Sequence, residues 1–274
     1  MPTHTKQTVE TVVKKIDERR KHPKGKPRKF PYGCDQCDGY GNIVTEQGAR
    51  ACECKKRYFI QVHLEQANIP PIFEDKSFDT FENPTPEHEK DLKWAREYVK
   101  NYSSTNKRGV LFIGHPGVGK THLAISILRE LILKGYTGLF FNMNDLLQEI
   151  RATFDENSSA TEFDILERLL GVDVLVLDDV GAQERISGFV LDRFYTLVNG
   201  RYQANKTLIV TTNSDPKTLE QRLQAHTISR LYEICELRMA SVETDYRTSN
   251  YAGSPGPKKR GARGVRRAGH PEGL

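Results

Sequence analysis

The chain has 274 residues, of which 37% are apolar, and its 41 Lys and Arg residues exceed its 36 Asp and Glu residues. This length favours one full domain with a smaller module. No apolar run is long enough to span a membrane, and the opening residues MPTHTKQTVE lack the apolar segment of a secretory signal. The expected compartment is the reducing cytoplasm, because four of the five cysteines lie within residues 34–54, whereas a disulfide scaffold would spread them through the chain.

Charge is distributed unevenly along the chain. Residues 1–31 carry ten Lys or Arg and three acidic residues, residues 253–274 carry six and one, and the remaining 32–252 has a net charge of −7. Residues 1–31 are predicted to form a basic N-terminal arm, and 253–274, rich in Gly and Pro, a disordered basic tail. Basic ends of this kind favour contact with phosphate backbones, although solubility alone would also account for them.

Four of the five cysteines crowd into residues 34–54 as a C-x-x-C pair and a C-x-C pair. Four thiolates at this spacing are typical of a tetrahedral Zn²⁺ site, and Gly39 and Gly41 suit the tight turn after the first pair. A redox pair or free thiols are the alternatives, and His63 would be a substitute ligand. The predicted zinc ligands are Cys34, Cys37, Cys52 and Cys54.

Residues 32–68 are thus predicted to form a small zinc-binding module. A module of this size buries little apolar surface, so the metal would supply its fold. Three aromatic residues in it, Tyr40, Tyr58 and Phe59, would either stack on nucleic-acid bases or pack around the metal.

Short apolar runs alternate with amphipathic stretches over residues 69–252. The run 172–177 is almost wholly apolar, as expected for a strand buried on both faces. Alternation of this kind predicts an α/β domain, with a parallel sheet covered by helices on both faces. Cys235 stands alone and is predicted to be a small buried residue. Strands are predicted over 110–113, 139–141, 172–177 and 207–211, and helices over 60–68, 86–102, 120–134, 144–154, 161–170, 185–203, 216–224 and 226–234.

Residues 114–121, GHPGVGKT, fit the phosphate-binding pattern G-x-x-x-x-G-K-[ST] in full. They follow a predicted strand and open a predicted helix, which is the context that the pattern requires. The glycines let backbone N–H groups approach phosphates, and the helix N-terminus adds partial positive charge. Lys120 is expected to contact the β- and γ-phosphates of ATP, and Thr121 to bind Mg²⁺. The predicted nucleotide-contacting residues are Gly114, His115, Pro116, Gly117, Val118, Gly119, Lys120, Thr121 and His122.

Polar side chains follow two of the predicted strands. Asp178 is expected to hold Mg²⁺ through water, and Asp179 to polarise the water that attacks the γ-phosphate. Asn213 follows a later strand and would orient that water, because the carboxyl ends of parallel strands gather at one edge. An ordinary turn asparagine is the alternative for Asn213.

The segments GHPGVGKTHLA, VLVLDDVGA, VLDRFYTLVNGRY and LIVTTNSD together resemble the bacterial AAA+ helicase-loader ATPases. This group comprises the DnaC and DnaI proteins, their phage relatives and the IstB transposition helpers. The resemblance covers about residues 34–250 and implies a P-loop AAA+ ATPase domain over 69–252, with ATP and Mg²⁺ as ligands. It also implies catalytic roles for Lys120, Asp178, Asp179 and Asn213.

The resemblance implies two arginines as well. Arg230, within Ser229-Arg230-Leu231, matches the segment carrying an arginine finger that reaches the nucleotide of a neighbouring subunit. An ordinary surface salt-bridge residue is the alternative for Arg230, and Arg222 is its rival as the finger. Arg247 would lie near the γ-phosphate. AAA+ proteins usually carry Glu where Asp179 stands, and loaders often carry Asp, which implies a slow, switch-like ATPase.

The partners implied are a replicative DNA helicase, single-stranded DNA and further copies of the chain assembled through Arg230. Hydrolysis would then act as a release switch. The cysteine module resembles that of DnaI-type loaders and would bind helicase or DNA. Residues 144–170 correspond to the family's DNA-facing insertion, although the charges there do not by themselves predict a DNA groove. Two other functions stay open: an IstB-like transposition helper acting on double-stranded DNA, and a weakly hydrolysing ATP-binding adaptor.

Overall fold

The computed structural model describes residues 34–45, 48–82, 85–181 and 186–240. The basic arm predicted for 1–31 and the basic tail predicted for 253–274 lie outside these ranges. None of the helices within them combines the length and the apolar character that a membrane span needs.

A short antiparallel hairpin and a helix begin the described chain. Strand β1 (Asn42–Thr45) pairs with β2 (Gly48–Ala51), and Cys52 precedes helix α1 (Glu53–Gln66). The helix predicted over 60–68 therefore began too late. The reason is that α1 has no buried residue, so its first half shows no apolar periodicity. The hairpin was not predicted.

The rest of the described chain alternates helices with strands. Their bounds are a 3-10 turn (Pro71–Phe73), α2 (Pro86–Asn101), β3 (Gly109–Ile113), α3 (Lys120–Leu133), β4 (Gly138–Asn142), α4 (Met143–Ala152), α5 (Glu162–Gly171), β5 (Val174–Asp178), α6 (Gly188–Gln203), β6 (Thr207–Thr212), α7 (Pro216–Arg222), α8 (Ala225–Ile234) and β7 (Cys235–Met239). Strands β3 to β7 form one parallel sheet in the order β4–β5–β6–β3–β7.

Side chains of the central strands alternate between two apolar cores. Leu175 and Leu177 of β5 pack on one side of the sheet with α4, α5, α6 and α8, whereas Val174 and Val176 pack on the other side with α2 and α3. Every residue of β3, β5 and β6 is buried, which is why these strands read as continuous apolar runs. The prediction of a parallel α/β sheet covered on both faces is confirmed.

Strand β7 was missed from sequence. Its residues CELRM alternate charged and apolar side chains, and Leu237 and Met239 are 43% and 52% exposed. Such a segment is recognisable as a strand only through its pairing with β3. Cys235, its first residue, is 2% exposed, as predicted, and burial raises the pKa of its thiol.

A fully buried arginine ties the amino ends of two central strands together. The guanidinium of Arg201 donates to the backbone oxygens of Leu169, Asp173 and Thr207, at 2.7, 2.8 and 2.6 Å. Burial lowers the pKa of Arg201 to about 9, so it stays protonated at neutral pH. Because Asp173 and Thr207 stand at the starts of β5 and β6, this hub aligns the two strands, and their carboxyl ends emerge side by side.

Candidate functional site

A cavity of about 410 Å³ lies at the carboxyl ends of the sheet strands. Its walls are the loop before α3, the ends of β4, β5 and β6, residues 73–82, and His88. Gly114 and His115 accept hydrogen bonds from Lys120 through their backbone oxygens, and Val118 is buried. The predicted site residues that line the cavity are Pro116, Gly117, Gly119, Lys120, Thr121, His122, Asp178, Asp179 and Asn213.

The loop before α3 turns through two glycines in the left-handed region, Gly117 (φ +77°) and Gly119 (φ +93°). A side chain at position 119 would meet the Phe81 ring at 2.7 Å, so the close approach also requires glycine. No side chain caps the N-terminus of α3, which leaves its first N–H groups available to an anion. The local geometry is that of a phosphate cradle.

Lys120 lies in the cavity wall and is 7% exposed. Its ammonium donates to the backbone oxygens of Gly114 and His115, at 2.8 and 2.6 Å, and to Asn213 Oδ1 at 2.7 Å. These acceptors hold the charge at the mouth of the cradle. Lys120 and Asn213 are 93 positions apart in the chain, and the sheet brings them together.

The two acids of the β5 end have different partners. Asp178 Oδ1 accepts hydrogen bonds from the hydroxyls of Thr121 and Thr211, at 2.8 and 2.6 Å. Burial raises the pKa of Asp178, and these two hydrogen bonds only partly offset that effect. Asp179 Oδ1 accepts from Asn213 Nδ2 at 2.7 Å. Thr121 and Asp178 offer the hydroxyl and carboxylate oxygens that Mg²⁺ prefers, so they could hold that ion.

Residues 73–82, together with His88, form a wall that sequence reasoning missed. His122, at the start of α3, holds this segment: its Nε2 donates to the Ser77 oxygen at 2.8 Å, and its ring meets Phe81 edge-on at 5.1 Å between centroids. Burial lowers the pKa of His122, which favours the neutral ring. In the sequence, the only signal for this wall is the presence of aromatic residues before α2. No local pattern shows that they contact the loop before α3.

The two candidate finger arginines are placed differently. Arg222 donates to the Gly181 oxygen at 2.5 Å and to Ser214 Oγ at 3.2 Å, so it is engaged within its own chain. The Arg230 side chain is 38% exposed, lies 4.1 Å from the centre of the Tyr202 ring and pairs with Glu233 at 3.4 Å. Arg230 does not line the cavity, and it faces the surface. Arg247 lies outside the described residues.

The four clustered cysteines converge on one point. All four Sγ atoms lie within 4.8 Å of one another, with Cys34 to Cys52 at 3.6 Å and Cys37 to Cys54 at 3.4 Å. Four sulfurs at 2.3 Å from a tetrahedral Zn²⁺ would stand about 3.8 Å apart, so the cluster fits that ion. The residue expected as a substitute ligand, His63, is not part of the group.

The local fold explains this convergence. The turn between the first cysteine pair and β1 uses left-handed residues, Gly39 (φ +79°) and Gly41 (φ +72°), as expected for a knuckle. Desolvation raises the pKa of the Cys37 thiol, but hydrogen bonds from Cys54 and the Gly41 N–H outweigh it and lower that pKa to about 7. A lowered thiol pKa favours the thiolate that binds metal, whereas the pKa values of the Cys34 and Cys54 thiols are raised, by desolvation and by hydrogen bonds within the cluster.

The aromatic residues of the cysteine region do not all enclose the cluster. Tyr40 is 50% exposed and Phe59 is 42% exposed, whereas Tyr58 is half-buried and meets the Phe59 ring edge-on at 5.8 Å. Tyr40 and Phe59 therefore present surface rings beside the cysteines.

A second surface feature, missed from sequence, joins the end of α4 to the start of α6. Phe154 is 60% exposed, and its ring meets Phe189 edge-on at 5.8 Å. The guanidinium groups of Arg193 and Arg151 lie 4.7 and 5.9 Å from the centre of the Phe189 ring. Glu162 pairs with Arg193 at 2.5 Å. We call the group Arg151, Phe154, Phe189 and Arg193 the aromatic–arginine platform.

Comparison with known proteins adds a family and a fold. Residues 61–231 match the family described as IstB-like ATP binding protein. The chain is 30% identical over 190 residues to the replicative helicase loader DnaC of Escherichia coli (strain K12), a match covering 68% of this chain and 76% of that protein. It is 26% identical over 266 residues to the phage-like element PBSX protein XkdC of Bacillus subtilis (strain 168), covering 89% and 98%.

Two solved structures share the fold. A crystal structure of the DnaC helicase loader superposes with a TM-score of 0.57 at 30% identity, covering 63% of this chain and all of that one. A crystal structure of DnaI superposes with a TM-score of 0.54 at 23% identity, covering 65% of this chain and 94% of that one. The second likeness concerns the fold alone.

Proposed function

Since the chain belongs to the IstB-like ATP-binding proteins, a P-loop AAA+ family that includes DnaC-like members, we propose that it is an ATP-dependent loader of a replicative DNA helicase. The observation that carries the proposal is the convergence of Lys120, Thr121, Asp178, Asp179 and Asn213 on one cavity. A phosphate cradle beside two acids suits nucleotide hydrolysis, and the similarity to DnaC suggests what that hydrolysis serves.

In the proposed reaction, the phosphates of ATP lie on the N–H groups of the loop and of the first turn of α3. Lys120 exchanges its backbone acceptors for phosphate oxygens. Thr121 and Asp178 would hold Mg²⁺, which would supply neutralisation of phosphate charge when bound. Asp179 and Asn213, already hydrogen-bonded, orient the attacking water. Asp179 is one methylene shorter than the usual Glu, which is consistent with a slow, switch-like turnover that releases the partner.

Arg230 is the proposed arginine finger. Its side chain is exposed and does not line its own cavity, so it can reach a nucleotide only in a second copy of the chain. Arg222 is the weaker candidate because its guanidinium is held by Gly181 and Ser214. Hydrolysis would then depend on assembly.

The cysteine cluster is proposed to hold a structural Zn²⁺ through Cys34, Cys37, Cys52 and Cys54. Bound zinc would fix the hairpin against α1 and so present Tyr40 and Phe59 at the surface. This face is the proposed contact for the helicase.

The aromatic–arginine platform is proposed to contact single-stranded DNA. An exposed aromatic ring stacks on bases without regard to sequence. The exposed Arg151 guanidinium beside it would supply a phosphate contact, whereas Arg193 is paired with Glu162. Phe154→Ala is therefore expected to weaken binding of a labelled oligothymidine about tenfold, measured by fluorescence anisotropy.

Two variants of similar size give the controls for this measurement. Leu133→Ala, which removes an apolar side chain that is 46% exposed at the end of α3, is expected to leave the affinity unchanged. Phe154→Trp is expected to retain it, because the indole also stacks. Equal affinities for wild type and Phe154→Ala would place the DNA contact elsewhere in the chain.

The proposed function is tested by mixing the protein with the replicative helicase of its host. Light-scattering chromatography, with and without ATP–Mg²⁺, is expected to show a complex whose stoichiometry depends on nucleotide. Filaments on double-stranded DNA without a helicase complex would favour the alternative function, an IstB-like transposition helper. A nucleotide-dependent complex without measurable ATP turnover would favour the adaptor.

A further inference from the structure

Thr211, near the end of β6, bonds three consecutive residues of the neighbouring strand end. Its hydroxyl donates to Asp178 Oδ1 at 2.6 Å and accepts the Asp179 N–H at 2.9 Å. Its backbone oxygen accepts the Val180 N–H at 2.9 Å. Thr211 is 2% exposed, so these bonds are shielded from competing water.

The residue in the middle of this set has an unusual backbone. Asp179 has φ +59°, in the left-handed region that non-glycine residues seldom occupy. Such a conformation persists where the surroundings over-determine it. Here the Asp179 and Val180 N–H groups both bond Thr211, on either side of the turn.

The turn also sets the direction of the two carboxylates. Asp178 receives hydroxyl bonds from two different elements, from Thr121 on α3 and Thr211 on β6, both on Oδ1. The left-handed turn then carries Asp179 to Asn213, which lies two positions beyond Thr211 in the same chain segment. One buried hydroxyl is therefore shared by the metal-binding acid and by the backbone that aims the water-activating acid.

We propose that Thr211 is a positioning residue for the hydrolysis described above. It holds the carboxylates of Asp178 and Asp179 in fixed positions relative to each other. This inference rests on the proposed function, since it assigns Thr211 to that same site. The hydroxyl is the essential part: serine can donate and accept the same two bonds, whereas valine has the same shape as threonine and can make neither. Loss of the hydroxyl should affect steps that use Mg²⁺ and water, and leave contacts to the phosphates in place.

The test compares Thr211→Val, Thr211→Ser and wild type in the full-length protein. Thr211→Val is expected to lower kcat about tenfold or more and to raise the half-saturating Mg²⁺ concentration about fivefold, with KM for ATP within about twofold. Binding of a fluorescent ATP analogue in EDTA should not change. Thr211→Ser is expected to restore kcat and the Mg²⁺ requirement to within about threefold of wild type.

A matched control removes a buried hydroxyl elsewhere. Thr196 in α6 is 4% exposed and donates to the Asp192 backbone oxygen at 2.8 Å. Thr196→Val is expected to leave kcat and the Mg²⁺ requirement unchanged. If Thr211→Val fails to fold, Thr211→Cys, which keeps the size but bonds weakly, takes its place in the same measurements.

The outcomes separate this inference from the function on which it rests. Wild-type turnover by the valine variant, or failure of serine to restore turnover, would overturn the role of Thr211 while leaving the ATPase proposal intact. Absence of turnover in the wild type, alone and with helicase and DNA, would overturn the proposed hydrolysis. In that case, a titration of Mg²⁺ into the fluorescent ATP analogue with wild type and with Thr211→Val would still decide whether the Thr211 hydroxyl positions Asp178.

Discussion

A Lys120→Ala variant is expected to bind ATP–Mg²⁺ at least about a hundredfold more weakly than the wild type. The Lys120 ammonium is the charge held at the mouth of the phosphate cradle, 7% exposed, by two backbone oxygens and Asn213. Alanine removes the charge that the phosphates would meet and leaves the loop backbone. Calorimetry with a non-hydrolysable ATP analogue measures the change.

The same variant tests whether nucleotide controls the partner. The stoichiometry of its complex with the helicase is expected to be the same with and without ATP–Mg²⁺, and helicase loading should be lost. Lys93→Ala on α2, which removes an exposed charge away from the cavity, is the control and should bind ATP as the wild type does. Normal helicase loading by Lys120→Ala would overturn the ATP dependence of the proposed function.

Replacing one cysteine of the cluster is expected to have the second large effect. Cys37→Ser should lower the zinc affinity by at least about two orders of magnitude and unfold the segment from Cys34 to the middle of α1. The described part of this segment has almost no apolar core: all four residues of β2 are exposed, and α1 has no buried residue. The buried side chains there are two of the thiols themselves, Cys37 and Cys52. Metal bonds would therefore supply the stability that packing does not.

Zinc content per chain, by elemental mass spectrometry, and the far-ultraviolet dichroism of wild type and variant check this prediction. Cys235→Ala, which alters the buried thiol of β7, is expected to keep about one zinc per chain. The sheet domain should melt at the same temperature in Cys37→Ser, because its two cores contain no cluster cysteine. A wild-type protein that carries no zinc, with a disulfide among the four cysteines, would support the redox alternative instead.

Whether a cavity residue could be predicted depends on how far along the chain it lies from the residues that it contacts. The loop residues 114–121 were recognisable because the phosphate cradle is built from consecutive residues, so a short sequence pattern contains all of it. Asp178, Asp179 and Asn213 could be placed because buried parallel strands read as apolar runs and their carboxyl ends share an edge. Thr211 looked like any strand threonine, since its role depends on a register with β5 that no local pattern records.

Distance along the chain also explains why the cysteine cluster was predicted and the aromatic–arginine platform was not. Two short cysteine pairs predicted four converging thiols because tight turns around a metal leave a spacing in the chain, and the structure brings all four together. The sequence pattern could not exclude His63 as a zinc ligand, because the path of α1 sets the distance between His63 and the cluster. Nor could it find the aromatic–arginine platform, which joins residues of α4 and α6.

Contiguous patterns were thus sufficient for the fold class, the phosphate loop, the acids and the thiol set, because helix and strand periodicity and ligand spacing are local properties. Packing between distant segments decided the rest: strand β7, the cavity wall of residues 73–82 and His88, the inward engagement of Arg222 and the exposure of Arg230. An edge strand with alternating charges acquires its structure from the partner it pairs with. An arginine acquires its role from the acceptors that the folded sheet puts within its reach.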